Sequence, residues 1–263
     1  YFARDNRVAG MFLPETASRR AAMPKRIPIA EQIASHHFNE KGEEAEAFDN
    51  SQQNINARTE VVKTGSMKLA LLPKKNRGET VTVEIRLNIG NDAALKGKQL
   101  EKTLLEMMLT RGTKDLTYEE ISDRFTALKI DGDITSFTTD RVHIADALRF
   151  VGGLMRDASF PKDEFTKLAR QVATSNQAKL DNPTTLAIDA MSRHFRTYPE
   201  GDARNRLTSQ EIVDRIGSMT DEQVKEFYDS VFQTATADIA VVGDFDPKEV
   251  KAAIADSFTK KSE

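Results

Sequence analysis

The chain comprises 263 residues, with 38 Lys and Arg against 41 Asp and Glu, a net charge of −3, and no cysteine. This length suits one large domain or two small ones and buries enough apolar surface to fold without staples. The composition excludes disulfides, thiolate metal sites and cysteine nucleophiles. It offers no basic footprint for nucleic acid, and no apolar run is long enough to span a membrane.

Residue 1 is Tyr, and a strand-like run follows from Arg7 to Leu13. No basic segment leading into an apolar one precedes that run, so no signal peptide is legible. The sequence reads as a piece of a longer polypeptide. Residues 14–57 read as a linker, because Pro14, Pro24 and Pro28 punctuate the first half and polar residues fill the second. One short helix is expected there, over Ile29–Phe38, with His36 and His37 as a solvated pair.

A compact domain is expected from Arg58 onward. Lys68–Leu72 is a short apolar run closed by Pro73, which suits a strand. Val81, Val83, Ile85, Leu87 and Ile89 alternate with polar residues, the pattern of a half-buried strand. Leu100, Leu104, Met107 and Met108 recur at helical spacing, and Gly112 is the expected C-cap. Thr117 with Glu120 forms a capping box for a helix to Leu128. Asp131–Ile144 reads as strand, running directly into a helix from Ala145 to Arg156. Further helices are expected over 162–179, from Pro183 to Phe195, over Ser209–Ile216 and over Asp221–Phe232. A last strand, Asp238–Val242, leads to a helix capped by Asp246 with Pro247 at its first position. Strands and helices in this order predict an α+β fold rather than regular βαβ alternation.

Little in this pattern spells out chemistry. The four histidines are His36, His37, His143 and His194, and none is spaced from another as a helical zinc pair requires. There is no G-x-S-x-G elbow. Gly152-Gly153 lies in an apolar helical stretch and reads as a close-packing point. Gly243-Asp244 lies between a strand and a helix, but Asp244 and Asp246 would repel an anion, so it reads as a capped turn. The pairs Glu43-Glu44 and Glu119-Glu120 read as solvated faces. Glu106 stands among Leu104, Leu105, Met107 and Met108, which places it at the edge of the apolar stripe.

Around that residue, Thr103-Leu104-Leu105-Glu106-Met107-Met108 followed by Gly112-Thr113 resembles the motif helix of the pitrilysin/insulinase zinc peptidases, peptidase family M16. The family pattern is H-x-x-E-H with a downstream G-T. Tyr118–Ile121, Phe160–Phe165, Asp181-Asn182-Pro183 and Val241–Pro247 fit later family elements in order. The resemblance covers residues 58–260 and implies an antiparallel-rich mixed sheet with helices packed on one side. It implies three parts: 1–13 as the final strand of a preceding half-domain, 14–57 as an inter-unit linker, and 58–263 as a half-domain. Where the family has a longer connection after the strand ending at Ile144, this sequence has none, as if residues were omitted there.

Carried over position by position, the first zinc histidine falls on Thr103 and the second on Met107. The third ligand falls on Thr174 and the base on Glu106. Thr and Met are poor zinc ligands, and without the metal Glu106 has no activated water to deprotonate. The resemblance therefore implies a degenerate unit that binds no zinc, with Glu106 vestigial and no catalytic residue of its own. Zinc is expected in a catalytic partner unit, in the same polypeptide or in another subunit, and a peptide is the implied substrate. A second reading is an assembly protein derived from the peptidase fold, with no proteolytic role. Export to the periplasm is the expected location, with the cytoplasm as alternative. A lone half-domain is expected to expose faces meant for its partner.

Overall fold

The computed structural model describes residues 45–65, 67–195, 198–232 and 235–258. The run Arg7–Leu13, the helix over Ile29–Phe38 and the pair His36-His37 lie outside these residues. Six strands form one open mixed sheet: β1 (Glu60–Thr64), β2 (Met67–Pro73), β3 (Thr80–Asn88), β4 (Asp131–Gly132), β5 (Ser136–Asp140) and β6 (Thr236–Gly243), in the order β1-β2-β6-β3-β5-β4. Every neighbouring pair is antiparallel except β2 with β6.

Period-two alternation gives the sheet two unlike faces. Leu69 and Leu71 on β2, Val81, Val83 and Ile85 on β3, Phe137 on β5, and Ile239 and Val241 on β6 are all buried. Their neighbours Lys68, Thr82, Glu84, Arg86, Ser136 and Asp238 point to the other face and are exposed. The helices therefore cover one side of the sheet.

Ten helices are described: α1 (Gln52–Arg58), α2 (Asp92–Leu95), α3 (Gln99–Met108), α4 (Tyr118–Ala127), α5 (Ile144–Arg156), α6 (Lys162–Leu180), α7 (Pro183–His194), α8 (Ser209–Ile216), α9 (Asp221–Phe232) and α10 (Pro247–Phe258). The core-facing stripe of α3 is Leu100, Leu104, Leu105 and Met108. That of α5 is Ile144, Leu148, Val151 and Met155. Helices α5 and α10 approach closely at Gly152, where a Cβ would lie 2.6 Å from Ser257 Cβ. The close-packing reading of Gly152 is borne out there, whereas Gly153 faces open space. The capping box of Thr117 and Glu120 forms, and a second one, Thr208 with Glu211, starts α8. Gly243 keeps φ +138°, and a Cβ there would meet Thr80 O at 2.2 Å, so β6 can turn into Asp244 only with glycine.

Two expectations need correction, and the end of the stretch read as a linker carries a helix. The strand after Asp131 stops at Asp140, and Arg141-Val142-His143 form a turn before α5. The Asp140 carboxylate accepts the backbone N–H groups of Val142 and His143, both at 3.1 Å, which is what lets so short a connection turn. Gly112 is not a C-cap: α3 ends at Met108, and Gly112 is small because Pro161 Cγ would lie 2.7 Å from a Cβ. Part of the stretch read as linker is helical. In α1, Ser51 Oγ accepts the Asn54 N–H, and just before it Phe48 lies 4.9 Å from both Arg58 and Lys74. Arg58 also donates to Pro73 O at 2.8 Å, tying α1 to the end of β2.

Candidate functional site

Thr103, Glu106 and Met107 fall at i, i+3 and i+4 of α3, so they share one helix face. That face is the exposed one, opposite buried Leu104, Leu105 and Met108. Thr103 Oγ1 donates to Gln99 O at 3.0 Å. Glu106 Oε1 lies 2.7 Å from Lys102 Nζ with its side chain 54% exposed. Met107 is 37% exposed. Glu106 therefore lies not at the edge expected for it but on the solvent side, opposite the apolar stripe. The carboxylate that α3 does bury is Glu101, held by Lys98 at 3.0 Å and by Arg215 of α8 at 3.3 Å.

Thr174 is exposed on α6, beside an open groove of about 450 Å³ lined also by Lys167, Arg170, Gln171 and Ser175. Arg111, three residues past the end of α3, pairs with Glu164 near the start of α6 at 3.4 Å. Thr174 lies ten residues further along α6, about 15 Å at helical rise. No hydrogen bond or ion pair among the described residues joins it to Thr103 or Glu106.

The donor set at these positions is two hydroxyls and a thioether, which does not fit zinc. Among the described residues there is no group of three or more His, Cys, Asp or Glu placed to hold a metal ion. His143 binds Asp140, and His194 stacks edge-on against Phe195 with centroids 5.1 Å apart.

Two polar clusters at the β5–α5 turn escaped the sequence reading. Asp140 Oδ1 lies 2.6 Å from His143 Nδ1, and Oδ2 lies 2.8 Å from Lys129 Nζ. Partial burial pushes the Asp140 carboxyl up, but its bonds to Lys129 and His143 together outweigh this and hold it at about 2. Beside it, Arg141 pairs with the buried Asp244, whose Oδ2 has no hydrogen-bond partner. The legible signal was the i, i+3 spacing of Asp140 and His143. For Arg141 and Asp244, 103 residues apart in sequence, no signal existed. No serine or threonine hydroxyl hydrogen-bonds the His143 ring among the described residues, so the Asp140–His143 pair organises the turn rather than activating a nucleophile.

No family model and no curated protein matches the chain. Solved structures do. A protease from Helicobacter pylori superposes with TM-score 0.62 at 19% identity, covering 78% of this chain and 51% of that one. A peptidase M16 inactive domain from Pseudomonas fluorescens gives 0.61 at 17%, covering 76% and 50%. The first half of the periplasmic protease PqqL from Escherichia coli gives 0.60 at 16%, covering 77% and 46%. The chain spans about half the length of these structures. The element order, the one-sided mixed sheet and these superpositions agree with the motif resemblance: the chain has the fold of an M16 peptidase half, the fold shared by that family's proteases and its inactive domains.

Proposed function

We propose that the chain is a non-catalytic unit of an M16-type zinc metallopeptidase, forming part of the chamber in which peptides are degraded and contributing to their binding. The observation that carries this reading is the face of α3. The family's metal positions fall on Thr103 and Met107, and Glu106 between them is solvated and paired with Lys102. A carboxylate so placed has no metal-bound water to deprotonate. Thr174 is the third position in this proposal, and its hydroxyl supplies no better ligand. On the same reading, residues 1–13 close a preceding half-domain, 14–57 join the units, and 58–263 form the degenerate half. The exposed polar residues Lys68, Glu84, Arg86 and Asp238 on the face opposite the core support the chamber role. Catalysis then resides in a zinc-bearing partner unit, and the periplasm is the proposed location.

The test is complementation. The longer polypeptide that contains this chain, or the zinc-bearing partner that co-purifies with it, is assayed on an unstructured peptide with and without residues 58–263. The proposal predicts that cleavage needs both parts, and that Glu106→Gln in this chain leaves the rate unchanged. Full cleavage without the chain, or loss of cleavage in the Glu106 variant, would overturn it.

A further inference from the structure

The open face of the sheet is not uniformly polar. Register places Lys63 of β1 opposite Lys68 of β2, Lys68 opposite Asp238 of β6, and Asp238 opposite Arg86 of β3. These four residues form one row across four adjacent strands, all exposed. Strands lie about 4.8 Å apart, so Lys63 and Arg86 are anchored about 14 Å from each other. The side chains of Lys63, Lys68 and Arg86 make no hydrogen bond or ion pair among the described residues. Asp238 instead takes the Asn88 amide at 3.3 Å. The next row on this face holds Val61, Ala70, Ala240 and Glu84, with Glu84 accepting from Ser136 Oγ at 2.7 Å. The row after it holds Leu72, Val242, Thr82 and Thr138.

Three cations without a side-chain partner, against the Asp238 and Glu84 carboxylates, thus leave a net positive charge on these two rows, beside small side chains, in a chain whose net charge is −3. Exposed cations gathered in this way select anions by complementarity more than by raw affinity. The strip beside them suits an extended backbone with short side chains. An extended peptide rises about 3.4 Å per residue, so side chains at i and i+4 are about 14 Å apart and match the Lys63–Arg86 span.

We infer that this face is a docking surface for acidic extended peptides, with Lys63, Lys68 and Arg86 receiving carboxylates and the small side chains of Ala70 and Ala240 in the next row leaving room for the peptide backbone. This rests on the peptide-binding reading above and narrows it to a substrate class. These residues position a peptide; they are not catalytic residues.

The test is fluorescence anisotropy with the full chain and three labelled peptides of Ala and Ser carrying, at alternate positions, Glu, Gln or Lys. The Glu peptide should bind about tenfold tighter than the Gln peptide, because exposed ion pairs contribute about two- to threefold each. Lys peptide should bind weakest, and added salt should erase the differences. Lys63→Glu/Lys68→Glu/Arg86→Glu should abolish the preference for Glu, while Lys114→Glu in a loop off the sheet should not. The salt series on the unaltered chain decides the matter even if the triple variant fails to fold. Equal binding of all three peptides would overturn the charge selection and leave the complementation result standing. Tighter binding of a single-stranded oligonucleotide than of the Glu peptide would overturn the peptide assignment itself.

Discussion

Asp140 shows how much one side chain can organise. It closes the β5–α5 turn through two backbone N–H groups, His143 and Lys129. Its folded-state value of about 2 lies below the ordinary 3.8, so its contribution is fully present above pH 4 and is lost as pH falls through 2. With the side chain 20% exposed, solvent screening reduces that contribution to about 1–2 kcal/mol. Asp140→Asn should therefore lower stability by about that amount at pH 7. The difference from the unaltered chain should shrink between pH 4 and pH 2, as read by urea titration at each pH; a constant difference across that window would contradict the assignment. Residue-scale features of this kind were unevenly legible. The i, i+3 spacing of Asp140 and His143 is visible in the sequence, but the turn it makes is hidden by a run that alternates like a strand. Glu106 is legible as unburied because its neighbours are apolar at helical spacing, but its place opposite the stripe rather than at its edge is not. Arg141 and Asp244 meet only because β6 returns beside β3, and no local pattern announces that.

Elements with a strong period were legible, and those without one were not. β3 alternates over its whole length and pairs on both sides, so its pattern reports two-sided context. β1 escaped because it is an edge strand with no buried residue. α1 and α2 are short, bury nothing and are marked only by Ser51 and Asn91 as caps. α7 is the reverse case. Its Pro183 start and Asn182 cap were legible, but its orientation was not. Asp189 accepts the Ser209 N–H at 3.0 Å and Arg193 reaches Thr208 at 3.4 Å, so a polar side faces the body of the domain. Ile188, Met191 and Phe195, at i, i+3 and i+7, are 51%, 59% and 67% exposed. A contiguous apolar stripe of this kind promotes association. The chain should sediment with concentration-dependent self-association, and Ile188→Glu/Met191→Glu should make it monomeric with little change in thermal stability. A chain that is monomeric before substitution would refute this.

At the scale of the whole molecule, the domain is one sheet with one covered face. Leu69, Val83, Ile239 and the stripes of α3, α5 and α10 make a complete core on the helix side. The other side carries the exposed polar residues Lys68, Thr82, Glu84, Arg86 and Asp238, as antiparallel-rich sheets with one solvated face commonly do. The chain has the fold of an M16 half and spans about half the length of the matched structures. The order of short motifs along the chain made this architecture legible. The proposal that Thr103 and Met107 replace metal ligands comes from the motif resemblance alone, which needs no coordinates. The polarity of the open face was not legible, because Lys63, Lys68 and Arg86 come together only through strand pairing.

A half-domain with Thr103, Met107 and Thr174 at the proposed metal positions should hold no zinc, and elemental analysis of the purified chain, loaded with zinc and then exhaustively dialysed, measures this. Zinc well below one equivalent per chain is expected, unchanged by Glu106→Gln. One tightly held equivalent would contradict it and would show that residues other than Thr103, Met107 and Thr174 assemble a metal site.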